Sequence, residues 1–210
     1  MIVNLDIDLR PQLGTVRDQG ARSTCLSHAV SASHEHVRAS STRFSVEYLH
    51  YFATCGRPEQ GSSIADMRSA LEREGQPEER FCQDMPQGPP QGWKPATGLP
   101  VFRRHSTPVP PTCTNIVQAI RAARIPVLGI SLPPGFFRPK PPWVIPAGNP
   151  VRGLHAVVGA GLASVGNEDA VLIRNSWGVA WGDSGHALLT SGFLTQHLID
   201  LMLLAEEAVT

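Results

Sequence analysis

The chain has 210 residues, of which 41% are hydrophobic and 17% are charged, and its formal net charge is zero. This length suffices for one domain or for two small lobes that share a cleft. The balanced charge argues against a basic surface that grips nucleic acid or an anionic membrane. No stretch of the sequence approaches the roughly 18 consecutive apolar residues of a membrane span. Neither nucleic acid nor membrane is therefore an expected partner.

The first hundred residues are predicted to be mainly helical. Residues 1–8 alternate in polarity like a short strand and do not read as a signal peptide. The helices predicted after this strand are residues 26–37, 44–52 and 63–75. Ser45 and Ser63 can act as N-caps of the second and third helices, and Gly75 ends the third.

The second half is predicted to be mainly strands. Residues 85–111 are rich in proline, which predicts loop or extended chain that crosses between lobes. The elements predicted after this passage are a helix over 115–123, strands over 126–132, 154–161, 170–174 and 185–190, and a helix over 193–204. A second proline-rich insert, 133–150, is predicted to be a surface loop. Helices first and strands second favour an α+β fold with the two classes segregated.

The four cysteines lack the spacing of a zinc site and are few for a disulfide scaffold. They are Cys25, Cys55, Cys82 and Cys113. We predict that they are reduced, in a cytosol-like compartment. A bridge between Cys55 and Cys82 stays open at this level, and no metal or other cofactor is expected.

Cys25 is the candidate nucleophile. It lies at the start of a predicted helix, where free N–H groups and the helix dipole favour a thiolate. His155 opens a predicted strand, which would hold its ring rigidly as a base. Asn175 ends another strand, and its side-chain oxygen can accept a hydrogen bond from a histidine ring, while Trp177 can keep water off that bond. Thiolate, base and orienting group are the parts that nucleophilic acyl transfer needs.

Together these residues resemble the papain-like cysteine peptidases. The matching segments are Gln19-Gly20 with Cys25, His155, Asn175-Ser176-Trp177-Gly178 and Trp181-Gly182-Asp183-Ser184-Gly185. His155 and Asn175 follow Cys25 by 130 and 150 residues, and offsets of about 130–150 residues are typical of that family. The resemblance extends from about Val16 to the final strand.

The resemblance implies an α+β, two-lobe papain-like fold in a single catalytic domain, 1–210. A mainly helical left lobe would cover about 12–100 and a mainly β right lobe about 101–192, with the active-site cleft between them. A C-terminal helix would follow over 193–206.

The resemblance also implies roles for individual residues. Cys25 would attack the scissile carbonyl, His155 would protonate the leaving amine, and Asn175 would orient His155 under the shield of Trp177. The amide of Gln19 and the backbone N–H of Cys25 would form the oxyanion hole. The residues implied to contact substrate are Gly61, Ser62, Gly153, Leu154 and Trp181.

The segment before Cys25 departs from the family. Arg22, Ser23 and Thr24 stand where Cys-Gly-Ser is usual, and Leu26 stands where Trp is usual. Without a cysteine near position 22 the family's usual loop disulfide cannot form, which agrees with a reducing compartment. No signal peptide and no inhibitory propeptide are recognised. Three means of restraint stay open: a separate inhibitor or immunity protein, secretion, and tight specificity. Delivery by a secretion system is one route to the site of action.

The function predicted from these residues is cysteine endopeptidase activity on a protein substrate through a thioester acyl-enzyme. A cytosol-acting bacterial effector or toxin is the favoured role. Two alternatives stay open: an acyltransferase that uses the same triad, and a catalytically inactive relative that only binds peptides.

Overall fold

The structure, a computed structural model, describes residues 2–208. Within this range the α-helices are α1 (Cys25–Val37), α2 (Val46–Ala53), α3 (Ile64–Arg73), α4 (Cys113–Arg121) and α5 (Ser191–His197). The strands are β1 (Val3–Asp8), β2 (Arg104–Pro108), β3 (Val127–Ser131), β4 (Val144–Ile145), β5 (Leu154–Val165), β6 (Glu168–Arg174), β7 (His186–Thr190) and β8 (Leu198–Ala208).

α1 is the central helix of the molecule. Every residue from Leu26 to Glu35 is buried, because α2 and α3 pack on one side of α1 while β3, β5 and β8 pack on the other. Such a helix cannot be amphipathic in the usual sense, and its buried serines find hydrogen-bond partners inside the protein. Ser31 Oγ donates to the carbonyl of Ser27 at 2.7 Å, and Ser33 Oγ donates to that of Ile125 at 2.7 Å.

α2 and α3 begin at the predicted caps. Ser45 accepts from the backbone N–H of Tyr48 at 3.1 Å. Ser63 and Asp66 form a reciprocal capping box at the start of α3. These local signals explain why both helix starts are predicted well from sequence.

The strands form one sheet in the order β2-β8-β3-β5-β6-β7-β4, with β1 paired to the far half of β5. The pairs are antiparallel except that of β4 with β7. β5 is the longest strand and packs directly on α1. One continuous apolar cluster runs from α1 and α3 through β3 and β5 to β8, and it joins the helical part to the β-rich part.

The predicted helix over 193–206 is wrong in its second half. α5 ends at His197, and the chain continues as β8, which lies between β2 and β3. Leu201 to Leu204 are all buried, since a strand inside a sheet that is covered on both faces needs apolar side chains on both. A continuous apolar run fits such a strand as well as a helix, so periodicity cannot separate the two.

A buried charged cluster joins α1 to the N-terminal segment. Arg17 and Glu35 form an ion pair at 2.9 Å, and their side chains are only 9% and 10% exposed. The Glu35 carboxylate also accepts from the backbone N–H of Phe44 at 2.8 Å. Arg174 lies close enough to Glu35 to feel its charge, and burial lowers the pKa of Arg174 to about 10. Glu35 is therefore the counter-charge for two buried arginines.

None of the helices among residues 2–208 is long and apolar enough to cross a membrane. All four cysteines are free, and Cys55 is exposed whereas Cys82 is buried. The bridge left open between these two cysteines is therefore not formed.

Candidate active site

α1 begins at Cys25, as predicted, with Thr24 as the preceding cap residue. The Cys25 side chain is half-buried, and this burial raises the pKa of its thiol. The nearby backbone groups of Ala156 on β5 and of Leu26 and Cys25 on α1 act on this pKa in the opposite direction. The thiol thus lies where the first turn of α1 meets the start of β5.

The segment before Cys25 is tied to the segment that follows β6. The N–H of Gln19 donates to the carbonyl of Ser176 at 2.8 Å, and that of Gly178 donates to Arg17 at 3.1 Å. Gly178 has a φ of +72°, and a Cβ there would lie 2.9 Å from Asp18 Oδ2. Only glycine fits this left-handed, crowded position easily, which accounts for the first Trp-Gly pair of the sequence.

His155 and Asn175 form a buried hydrogen-bonded pair. His155 is the second residue of β5, Asn175 directly follows β6, and the two are 6% and 3% exposed. His155 Nε2 lies 2.6 Å from Asn175 Oδ1, which also accepts from the N–H of Ser176 at 2.8 Å. Because the oxygen can only accept, Nε2 carries the proton and Nδ1 is the nitrogen left for another group.

Burial lowers the pKa of His155 to about 4, while the hydrogen bond with Asn175 raises it. Two aromatic rings supply much of this burial. The Trp177 ring lies 4.7 Å from the His155 ring, and the Phe136 ring lies 5.7 Å from it at 70°. Apolar walls disfavour an isolated imidazolium, so the histidine is neutral unless a negative partner is beside it.

Phe136 belongs to the insert 133–150, which was predicted to be a surface loop. The prediction is wrong for this part: Phe136 is fully buried, and its carbonyl accepts from Trp181 Nε1 at 2.9 Å. The reason is that the rings of Trp177 and Trp181 need an apolar cover, which Phe136 provides. The adjacent pair Phe136-Phe137 in a proline-rich loop is the sequence signal that could have revealed it.

Gln19 is 8% exposed and its amide is held at both ends. Its Oε1 accepts from Ser176 Oγ at 2.7 Å, and its Nε2 donates to the carbonyl of Arg22 at 2.6 Å. An amide nitrogen carries two hydrogens, so one N–H of Gln19 is left for another acceptor.

A groove of about 630 Å³ lies between the helical and β-rich parts. Its helical side is lined by Gln19, Arg22, Ser23, Cys25, Leu26, Gly61, Ser62, Ser63 and Ile64. Its β side is lined by Gly129, Ile130, Leu132, Leu154, His155, Ala156, Trp177, Ile199 and Asp200. The predicted nucleophile, Cys25, and the predicted base, His155, therefore line the same groove.

The groove gathers most of the predicted site residues but not all of them. Gln19, Cys25, Gly61, Ser62, Leu154, His155 and Trp177 line it, and Asn175 contacts His155 from behind. Trp181, predicted to bind substrate, is buried against Phe136 and Trp177 and does not reach the groove. Gly153 is not among the lining residues, and its carbonyl accepts from the N–H of Leu132 at 2.9 Å.

Sequence reasoning missed the far wall of the groove, which includes Ile130, Ile199 and Asp200. Two of these residues lie on β8, and the error over β8 concealed them. Over residues 2–208 no group of three or more His, Cys, Asp or Glu side chains is placed to hold a metal ion.

No protein-family model matches the chain. A curated sequence, the probable cysteine protease RDL2 of Arabidopsis thaliana, is 54% identical over 35 residues. That match covers 17% of this chain and 10% of the Arabidopsis protein, so the chain corresponds to only a small part of this relative.

Solved structures match over almost the whole chain. Xylellain, a cysteine protease from Xylella fastidiosa, has a TM-score of 0.81 at 19% identity, covering 95% of this chain and 86% of xylellain. Bromelain from Ananas comosus has a TM-score of 0.79 at 17% identity, covering 96% and 98%. Procathepsin L 3 of Tenebrio molitor has a TM-score of 0.75 at 17% identity, covering 95% and 69%. The chain has the two-lobe fold of papain-like cysteine proteases, and the predicted α+β class is confirmed.

Proposed function

We propose that this papain-like chain is a cysteine endopeptidase that hydrolyses peptide bonds of a protein substrate. The observation that carries the proposal is the buried His155–Asn175 hydrogen bond of 2.6 Å at the wall of the groove that also holds Cys25 and Gln19. An apolar groove with a few convergent polar groups is the usual form of a substrate site. The same residues match the family motifs by order and spacing.

In the proposed reaction, the Cys25 proton passes to His155 Nδ1 and the thiolate attacks the scissile carbonyl carbon. The carbonyl oxygen becomes an oxyanion, stabilised by the backbone N–H of Cys25 and the free N–H of Gln19. His155 then gives its proton to the leaving amine as the C–N bond breaks, which leaves a thioester on Cys25. Water, deprotonated by His155, attacks the thioester, releases the acid product and restores the thiol.

Asn175 takes no part in bond making and holds the His155 ring in its tautomer, as the orienting member of a triad does. Acyl transfer to an amine would use the same thioester, and the accepting nucleophile alone separates the two reactions. Peptide binding without chemistry is less well supported, because the groove contains the nucleophile, the base, its orienting partner and an oxyanion donor together.

We further propose that the enzyme acts in a reducing compartment, as a bacterial effector or toxin does inside another cell. Four free cysteines, including the exposed Cys55, support this environment. A lysate of a candidate target cell, kept reducing, should show new protein N-termini after wild-type treatment and none after treatment with Cys25→Ala. Identical N-termini in both samples would contradict the proposal.

Labelling with the epoxide inhibitor E-64 tests the core of the proposal. Bromelain and the Carica candamarcensis protease CMS1MS2 have been solved with this inhibitor. We expect one equivalent of E-64 to add to Cys25, located by peptide mass spectrometry, and cleavage of casein to stop in parallel. Absence of label on Cys25, or continued cleavage by fully labelled protein, would overturn the proposal.

The pH dependence of kcat/KM is expected to be a broad bell. In the active state the thiol and the imidazole share one proton, so the two limbs belong to the pair. Burial lowers the pKa of His155 to about 4, which places the acid limb near pH 4. Burial raises the pKa of Cys25 above its ordinary value of 9.0, which places the alkaline limb above pH 9.

The Asn175→Ala variant tests whether the acid limb of the profile follows the pKa of His155. The hydrogen bond that His155 Nε2–H donates to Asn175 Oδ1 raises the pKa of His155, so its removal should move the acid limb to lower pH. Aliquots returned to neutral pH before assay separate this shift from acid unfolding. A limb that moves to higher pH, or a wild-type profile that only rises through the pKa of an ordinary thiol, would contradict this assignment.

Substrates with a lysine or arginine close to the scissile bond are expected to be preferred. Gly129 on β3 pairs with Ala156 on β5 and with Asp200 on β8. Asp200 is therefore two strand spacings of about 4.8 Å each from Ala156, whose backbone lies beside Cys25. A Cβ on Gly129 would lie 3.0 Å from that of Asp200, so glycine keeps the path open. Among residues 2–208 the exposed Asp200 carboxylate has no ion-pair partner.

Matched peptides that differ only by arginine or glutamine near the scissile bond measure this preference. We expect kcat/KM to be about tenfold higher for arginine, equivalent to about 1.4 kcal/mol. Asp200→Asn should abolish the ratio and Asp200→Glu should keep it. Asp169→Asn, which removes an exposed carboxylate at another cavity, is the matched control. A ratio unchanged in Asp200→Asn would rule out this selectivity.

A further inference from the structure

We propose that the ion pair between Arg22 and Glu47 is a positioning device that holds the Gln19 amide in place as an oxyanion donor. The proposal rests on the proposed protease activity and concerns residues that take no part in bond making. Arg22 lies three residues before Cys25, and Glu47 lies in the first turn of α2. Neither side chain touches the reacting atoms in the mechanism above.

Glu47 anchors Arg22 from inside the helical lobe. The Glu47 side chain is 1% exposed and that of Arg22 is 12% exposed. Arg22 Nη1 and Nη2 both donate to the carboxylate, Nη2 at 3.3 Å from Oε2, and Nη1 also donates to the carbonyl of Met85 at 2.9 Å. A planar guanidinium bound in this two-pronged way is fixed in orientation as well as position.

The backbone of Arg22 passes this constraint to Gln19. The Arg22 carbonyl accepts from Gln19 Nε2 at 2.6 Å, and Ser176 Oγ holds the other end of the amide at 2.7 Å. The remaining N–H of Nε2 is thereby aimed in one direction within the groove that Gln19 and Cys25 share. A shift of the Arg22 carbonyl would turn that N–H away from a developing oxyanion, whose stabilisation depends strongly on donor geometry.

Stability alone does not explain a buried pair of this kind. Replacing a buried ion pair by apolar side chains of similar volume is often neutral or stabilising, because desolvation offsets the attraction between the charges. Arg22 and Glu47 are 25 residues apart in the sequence. Arg22 lies in a loop where the resembled family usually has a cysteine. Positional control of the loop that carries Gln19 accounts for the pair without requiring a net gain in stability.

A double-mutant cycle tests whether Arg22 acts through Gln19. We expect Arg22→Met to lower kcat/KM for a fluorogenic peptide amide by about 10- to 100-fold, mainly through kcat, the range seen when residues that support a site are lost. In the Gln19→Ala background the same change should cost less than about threefold, since the donor is already absent. Equal losses in both backgrounds would overturn the proposal.

Alkylation of Cys25 by iodoacetamide supplies a second readout. The thiolate attacks a saturated carbon in this reaction, so no oxyanion forms and the Gln19 donor is not needed. The alkylation rate of Arg22→Met should therefore stay within about twofold of the wild-type rate. An alkylation rate that falls as far as kcat/KM would show that the nucleophile itself is disturbed and would contradict the positioning role. Arg80→Met, which removes an exposed arginine that pairs with the half-buried Glu78 at 2.7 Å, controls for the charge change.

The variant Arg22→Met leaves a buried carboxylate unpaired and can fail to fold. The double variant Arg22→Met/Glu47→Met removes both charges and is expected to keep a cooperative thermal transition. It should still lose turnover by about 10-fold or more, and full activity in this variant would overturn the inference. If the wild-type protein neither cleaves the peptide amide nor takes up E-64, both the proposed function and this inference fail. If it takes up E-64 but Arg22→Met costs the same with and without Gln19, the inference alone fails.

Discussion

The Cys25→Ala variant should lose at least about 10⁵-fold in kcat/KM, the scale of loss when the nucleophile of a catalytic triad is removed. The thiol is the only group in the groove that can form the covalent intermediate of the proposed mechanism, so its loss leaves binding and the oxyanion donors alone. Members of a triad act as a unit, and Cys25→Ala/His155→Ala should therefore be no slower than either single variant. Hydrolysis of a peptide amide, with active-site concentration set by E-64 for wild type, measures the loss.

Cys113→Ala is the matched control for this variant. Cys113 is likewise half-buried and is likewise the first residue of a helix, α4, capped by Thr112. It lines a different cavity, together with Val117 and Leu194. The control should keep wild-type activity, and a Cys25→Ala protein that keeps more than about a hundredth of the wild-type rate would contradict nucleophilic catalysis, since triad removal costs far more.

The Glu35→Ala variant should lower the free energy of unfolding by about 3–5 kcal/mol, the cost of breaking a buried ion pair from one side. Arg17 would lose its nearer ion-pair partner, at 2.9 Å, and keep Glu79 at 3.8 Å, while the backbone N–H of Phe44 would lose an acceptor at 2.8 Å. Arg174 would also lose the nearby charge that offsets its burial. Urea denaturation at pH 7, followed by tryptophan fluorescence, gives the free energy for variant and wild type.

The exposed ion pair of Asp8 and Arg10 provides the comparison. These side chains are 31% and 34% exposed at a separation of 2.7 Å, and pairs of this kind contribute at most about 1 kcal/mol. Asp8→Ala should therefore cost far less than Glu35→Ala. Equal costs would mean that burial of the Glu35 cluster has no bearing on its energetics.

Local signals made the helical lobe predictable. Cys25, Ser45 and Ser63 lie at or next to the observed starts of α1, α2 and α3, because caps and breakers act within a few residues. The predicted catalytic residues could also be placed, since their order and spacing are properties of the sequence itself. The hydrogen bond between His155 and Asn175 shows that these two residues lie together. The catalytic roles of all the named residues stay predictions.

The parts that escaped the sequence depend on contacts between distant positions. Residues 198–204 are apolar enough for a helix, and only insertion between β2 and β3 makes them a strand. Arg22 and Glu47 are ordinary charged residues until folding brings them together. Phe136 is concealed by its proline-rich surroundings, although its ring packs on His155. Tertiary context decides each of these cases, and no local propensity records it.

The place of β8 in the sheet has a consequence for synthesis of the protein. β8 leaves the ribosome after the other seven strands, yet its neighbours β2 and β3 are separated without it. It also carries Ile199 and Asp200, the far wall of the groove. Chains emerge from the ribosome from the N-terminus at about 5–20 residues per second, so a nascent chain already has Cys25, His155 and Asn175 but no complete groove. Under the proposed mechanism, a growing chain has its catalytic residues before it has the groove that would hold a substrate, and the groove is completed only when β8 is in place.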